Sequence, residues 1–149
     1  MPAVLIMDMA HEHEFELTEH TADIGVIASG GTLAEAFESA AYGMFSIVAD
    51  LDKYRPTSVV TIDTKGDDNI SLLGRFLSSL LVIFDGDSLL PLDFEIVQIS
   101  ENILTCRVSV REFGDDIEWI GPAIKAVTYH AISVENQDSK WRVAVIFDV

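Results

Sequence analysis

The sequence predicts an α+β domain of two layers, with two helices packed on one face of a mainly antiparallel mixed sheet. Three observations lead there. The element order is strands, helix, strand, helix, then a run of strands. Two helices cannot cover both faces of a large sheet, so they are placed together on one. The chain has 149 residues and is 49% apolar, which suits one domain around one core. Residues 1–13 are expected to be a loose N-terminal extension, and residues 14–149 a single domain.

Phe15, Leu17 and Glu19 alternate with Glu14, Glu16 and Thr18, as in a half-buried strand. It leads into His20-Thr21-Ala22-Asp23, and a second strand runs from Asp23 to Ala28 before the turn at Gly30-Gly31. Thr32 and Glu35 have capping-box spacing. Leu33, Phe37, Ala40, Ala41, Met44, Phe45 and Val48 then recur at helical spacing, so these aromatic and Met residues belong to a core face. Ser58 to Thr64 reads as a strand. Asp67 or Asp68 caps a second helix, striped by Ile70, Leu73, Leu77, Leu80, Leu81 and Phe84. Gly74 within it costs about 1 kcal/mol against Ala, which points to a close packing contact. Phe94 to Ile99 and Leu104 to Val110 are further strands. Gly121-Pro122 breaks the chain, and Ala123 to Glu135 and Trp141 to Val149 form a hairpin across Asn136-Gln137-Asp138-Ser139.

The 25 acids against 9 bases give a net charge of -16. Such a surface repels phosphate, so direct tight binding of nucleic acid is not expected, whereas a basic protein or divalent cations would be attracted. Solubility alone is the plain alternative. Cys106, the only cysteine, fits a reducing compartment and sits on a strand's core face. No apolar run approaches transmembrane length, and Ala3 to Met7 is a poor signal peptide, so a cytoplasmic protein with no membrane association is expected.

Common catalytic signatures are absent: no phosphate-binding Gly-rich loop, no paired Cys-x-x-Cys, no Ser in a nucleophile elbow. His11 and His13 lie where a loose tail is expected, which disfavours them as metal ligands. Three segments are more unusual. His20-Thr21-Ala22-Asp23 is a polar cluster between two apolar-patterned strands, ordinarily a turn whose side chains satisfy backbone groups. Asp148 is an acid ending a strongly apolar strand beside the chain's own carboxylate; a hard divalent cation would relieve that repulsion, while a frayed terminus is the ordinary case. The strand Ile124 to His130 carries Lys125 and His130 on opposite faces. With Glu135 opposite Lys140, Val127 would face Asp148 and Lys125 would lie diagonal to it on the same face. A one-residue slip would put His130 there instead.

In this order, several segments resemble the archease family: His20-Thr21-Ala22-Asp23-Ile24-Gly25; Ala36-Phe37-Glu38 with Gly43-Met44-Phe45; Asp68 and Leu72-Leu73 through Leu80-Leu81; Lys125-Ala126-Val127-Thr128-Tyr129-His130; and Phe147-Asp148-Val149. The resemblance covers nearly all of Phe15 to Val149. It implies a non-enzymatic activator of the tRNA-splicing RNA ligase, the enzyme that joins 3′-phosphate ends to 5′-hydroxyls. Such an activator promotes guanylylation of the ligase and its multiple turnover. It also implies a divalent metal, calcium first with magnesium or manganese as alternatives, held by Asp23, Asp148 and backbone or terminal oxygens of Val149. His20, Lys125 and His130 are then neighbours of that site. The chain departs from the family pattern at Ser79, where a Glu is common before Leu80-Leu81, and at Ile117-Glu118-Trp119, near a common Lys-His pair. Two other readings stay open: a metal-dependent phosphatase or hydrolase using Asp23 and Asp148, with His20 or His130 as base, and a general chaperone.

Overall fold

The computed structural model describes residues 3–7, 12–20, 22–100 and 102–149, with side chains described from His13 onward except those of His20, Thr21 and Glu101. Among the described residues, eight strands and two helices follow in the order β1 (Ala3–Met7), β2 (Glu12–His20), β3 (Asp23–Gly30), α1 (Leu33–Ser46), β4 (Ser58–Lys65), α2 (Asn69–Asp87), β5 (Leu89–Ser100), β6 (Ile103–Glu112), β7 (Ala126–Gln137) and β8 (Lys140–Asp148), with a 3-10 turn at Leu51–Lys53. The class is α+β, as the patterning predicts. The strands, however, divide into two sheets, β1-β2-β3-β8-β7 and β4-β6-β5, and every pairing among the described strands is antiparallel.

Both helices lie between the sheets. α1 touches β2, β3 and β8 on one side and β5 on the other; α2 touches β7 on one side and β4, β5 and β6 on the other. This is why α1 buries an unbroken run from Ser39 to Phe45 where a one-sided helix would bury a single stripe. The region expected as a loose extension contains β1, paired to β2, and β2 itself begins before Glu14.

Local chemistry explains the helix starts. The Thr32 hydroxyl accepts the Glu35 N–H at 3.1 Å, one half of the box the sequence suggests. Asp68 and Ser71 make a full capping box on α2. The Ser71 N–H holds the Asp68 carboxyl below the usual carboxylate range. α2 has the length and mean hydropathy (1.3) to cross a membrane. Its Leu72, Leu73, Phe76, Leu77 and Leu80 are fully buried in the core, which identifies it as a core helix.

Packing also fixes direction. Gly30 sits against Ala36 and Gly43 against Val26, so α1 runs antiparallel to β3. Phe37 meets Phe76 and, further along both helices, Phe45 meets Phe84, at centroid distances of 6.5 and 5.6 Å. The two helices therefore run in the same direction. Both end where β3 begins and β8 finishes.

Candidate functional site

That end of the molecule brings together the unusual segments of the sequence. His20 pairs with Asp23 across a tight turn in which Ala22 adopts φ 65°. β8 lies between β3 and β7, so its last residue has a neighbour on each side: Asp23 directly opposite on β3 and Ala126 directly opposite on β7. Ile24, Val26, Val145 and Phe147 face the core, so Asp23 and Asp148 share the other face of the sheet. Val149 is tied in as well, its N–H donating to the Ala22 carbonyl at 3.2 Å.

The β7–β8 register differs from the expected one. The connection is a two-residue turn, Asp138-Ser139, with both residues at positive φ, so Gln137 pairs with Lys140. An irregularity between Thr128 and Ser133 then shifts the pairing. Ala126, not Val127, stands opposite Asp148. Lys125 consequently leaves that face: its backbone N–H donates to the Asp148 carbonyl at 2.8 Å. It also lines a cleft of about 540 Å³ between α2 and β7, with Ser78, Val82, Asp85 and Tyr129. The residue that reaches Asp148 is Thr128, whose hydroxyl is 3.4 Å from a carboxylate oxygen, a long contact. Sequence reasoning passed over Thr128 because only the register singles it out. His130 is exposed. The His20 side chain and His11 lie outside the described residues.

The electrostatics of the row favour a cation. Like charges directly opposite in an antiparallel pair repel. One Asp23 carboxylate oxygen is buried and has no hydrogen-bond partner, and an unsatisfied buried acceptor is costly. Hard divalent cations take six or more oxygens. Asp23, Asp148 and a Val149 oxygen are the right donor type for calcium or magnesium. They would supply only part of such a shell, and no cluster of three or more His, Cys, Asp or Glu side chains suited to a metal occurs among the described residues. Water or a second protein would have to supply the rest.

Two other groups hold reactive side chains without being sites. His13 is buried (3% exposed), stacked on Tyr42 at 4.6 Å, with Nδ1 3.4 Å from the Ser39 hydroxyl and Nε2 3.7 Å from Asp93. The residue types match a nucleophilic triad, but Ser39 is 2% exposed, so no substrate reaches it. This also corrects His13 from a tail residue to a core residue. Burial pushes the Cys106 thiol up to about 12, with the Glu38 charge adding to the effect, so Cys106 is inert at neutral pH.

Comparison with known proteins adds a second line. The model of the archease protein family matches residues 15–149. The protein archease of Sulfolobus acidocaldarius is 35% identical over 136 residues, spanning 91% of this chain and 98% of its own length. That of Pyrococcus abyssi is 35% identical over 140 residues, with the same coverage. The solution structure of Methanobacterium thermoautotrophicum protein 1598 superposes with a TM-score of 0.77 at 29% identity, covering 91% of this chain and 98% of that one. A crystal structure from Thermotoga maritima, of an archease called a possible chaperone, shares the fold at TM-score 0.57 and 22% identity, covering 93% and 100%.

Proposed function

This chain belongs to the archease family, and on that premise we propose that it is a non-enzymatic, metal-binding activator of an RNA ligase in tRNA splicing and RNA repair. In this reading it acts in the cytoplasm on the ligase protein and promotes its guanylylation and multiple turnover.

The observation that carries the reading is the facing pair Asp23 and Asp148, with the buried Asp23 oxygen unsatisfied. A divalent cation, calcium first, would be held by these carboxylates and a Val149 oxygen, and when bound it would neutralise their repulsion. The chain's own contribution is placement. β3 and β8 fix the two carboxylates in register, and Thr128 and the Lys125 N–H hold Asp148 and its backbone from the β7 side. A partly filled shell at the molecule's edge suits sharing or organising a metal at another protein's active site. The net charge of -16 suits a ligase whose RNA-binding cleft is basic.

The test is a guanylylation assay of the cognate ligase with GTP and manganese. Wild-type chain is expected to raise the rate and restore turnover, and Asp23→Ala to lose most of that effect. No stimulation by the wild type retires the proposal. Undiminished stimulation by Asp148→Ala would favour a chaperone acting without the metal. Phosphate release by the purified chain alone, abolished in Asp23→Ala, would favour the hydrolase.

A further inference from the structure

The end of the molecule reached by both helices also carries an aromatic ridge that the chain leaves uncovered. Phe84, in the last turn of α2 and 9% exposed, is its root. Phe113 and Trp119 meet Phe84 edge-on at 5.1 and 5.7 Å and each other at 5.0 Å. Phe113 is 37% exposed, Trp119 45% and the adjoining Ile120 56%. The ridge is built in place. The Phe113 N–H donates to the Ser88 carbonyl at 3.0 Å and the Ile120 N–H to the Val48 carbonyl at 2.9 Å. The Glu118 N–H donates to the Tyr54 hydroxyl at 2.8 Å.

The segment that carries the ridge is acidic, although Arg111 and the exposed Lys53 and Arg55 on either side of Tyr54 lie at its flank. From Glu112 to Pro122 the chain carries four acids and no Lys or Arg. Glu112, Asp115 and Glu118 are exposed. Asp116 is taken by a two-pronged contact with Arg111 at 2.7 and 2.9 Å, and that guanidinium also lies over the Tyr54 ring at 5.4 Å. α2 ends on Asp85 and Asp87. Neither helix has a basic residue in its last turn. A helix C-terminus carries about half a negative charge, ordinarily complemented by Lys or Arg. Here two such ends point the same way, and the complement is missing from the last turn of each.

We propose that the Phe113–Trp119–Ile120 ridge is a docking surface for an arginine-bearing, net-cationic segment of another protein. Trp and Phe at a fixed position give the apolar anchor typical of binding hot spots. An arginine over the exposed indole gains cation–π attraction, and its fork can reach Glu118 or Asp115. The same charges argue against the other occupants. Nucleic acid and anionic lipid bring phosphates, and a second copy brings its own acids to face these. The surface is distinct from the Asp23–Asp148 row and does not depend on the ligase reading.

The experiment uses the full chain carrying Trp141→Phe, so that emission reports Trp119 alone. It is titrated with a short labelled peptide of alternating Arg and Leu, and binding is read by peptide anisotropy. Trp119 emission is expected to shift to the blue on binding. Trp119→Ala, read by anisotropy in the wild-type background, is expected to weaken affinity about tenfold or more. Glu118→Gln should weaken it more than Glu135→Gln, an equal charge change on β7 at the opposite end. If Trp119→Ala lowers the melting temperature, Ile120→Ser carries the same expectation. Unmoved Trp119 emission with equal affinities for all variants would overturn the proposal, because net charge alone would then explain binding. Self-association of the chain that Trp119→Ala abolishes would also overturn it, by making a second copy the occupant.

Discussion

Two carboxylates facing each other across an antiparallel strand pair are a local liability unless something positive stands between them. That fixes the behaviour of Asp23→Asn. With chelator present, the variant is expected to melt at or above the wild-type temperature, since a repulsion is removed. In calcium at a hundredfold excess over its dissociation constant, wild type should gain about 2.7 kcal/mol, or about 5–10 °C for a chain of this size, and Asp23→Asn should gain little. Differential scanning calorimetry reads both; a calcium shift of equal size in the two proteins would sink the assignment. At this scale the family resemblance names Asp23, Asp148 and Val149 together, and the strand pairing sets the two aspartates opposite each other, whereas the residue patterning by itself says less. Alternation along Trp141 to Val149 separates Asp148 from the face of Val143, Val145 and Phe147, but Asp23 and Asp148 are distant in the chain, and periodicity says nothing of which strands become neighbours. Thr128 was out of reach, because the irregularity in β7 moves the register and no residue in that strand announces it.

Helices were more legible than strands. Local caps and apolar spacing define α1 and α2 within a residue or two, whereas β5 extends through Pro91, which only its position at a sheet edge tolerates. The register of β5 shifts at Pro91/Asp93 and again at Ile96/Gln98, and at the latter the Ile96 N–H donates to the Glu38 carboxylate of α1 at 2.7 Å, which ties the helix to the smaller sheet. On its other side α1 is pressed against the larger sheet at Gly43. A Cβ there would meet Val26 Cγ1 at 2.9 Å and the Phe15 ring at 3.1 Å, and both side chains are buried. Gly43→Ala therefore sets two effects against each other. Helix propensity favours Ala by about 1 kcal/mol, and overpacking typically costs about 1–3 kcal/mol. The fixed neighbours let the second effect win, so urea unfolding should show a net loss of up to about 2 kcal/mol; a gain would mean that Phe15 or Val26 yields freely.

Over the whole molecule the charge is lopsided as well as large. Parallel helices place their negative ends at the same pole as the facing aspartates, and over the chain as a whole 9 bases stand against 25 acids. Screening should help such a molecule. With chelator present, raising salt from about 0.01 M to about 0.15 M shortens the Debye length from about 30 Å to about 8 Å, and the melting temperature is expected to rise; a fall would show that exposed ion pairs such as Lys140–Glu14 outweigh the repulsion. The division into two sheets was hidden from the sequence because a strand's alternation marks which side faces the core and not which sheet it joins. The strand order has one further consequence. β8 is laid down between β3 and β7, so the larger sheet stays split until β8 slots into its middle. Pairings this far apart in sequence form late and slowly. The aspartate row is therefore assembled only once β3 and β8, far apart in sequence, have met.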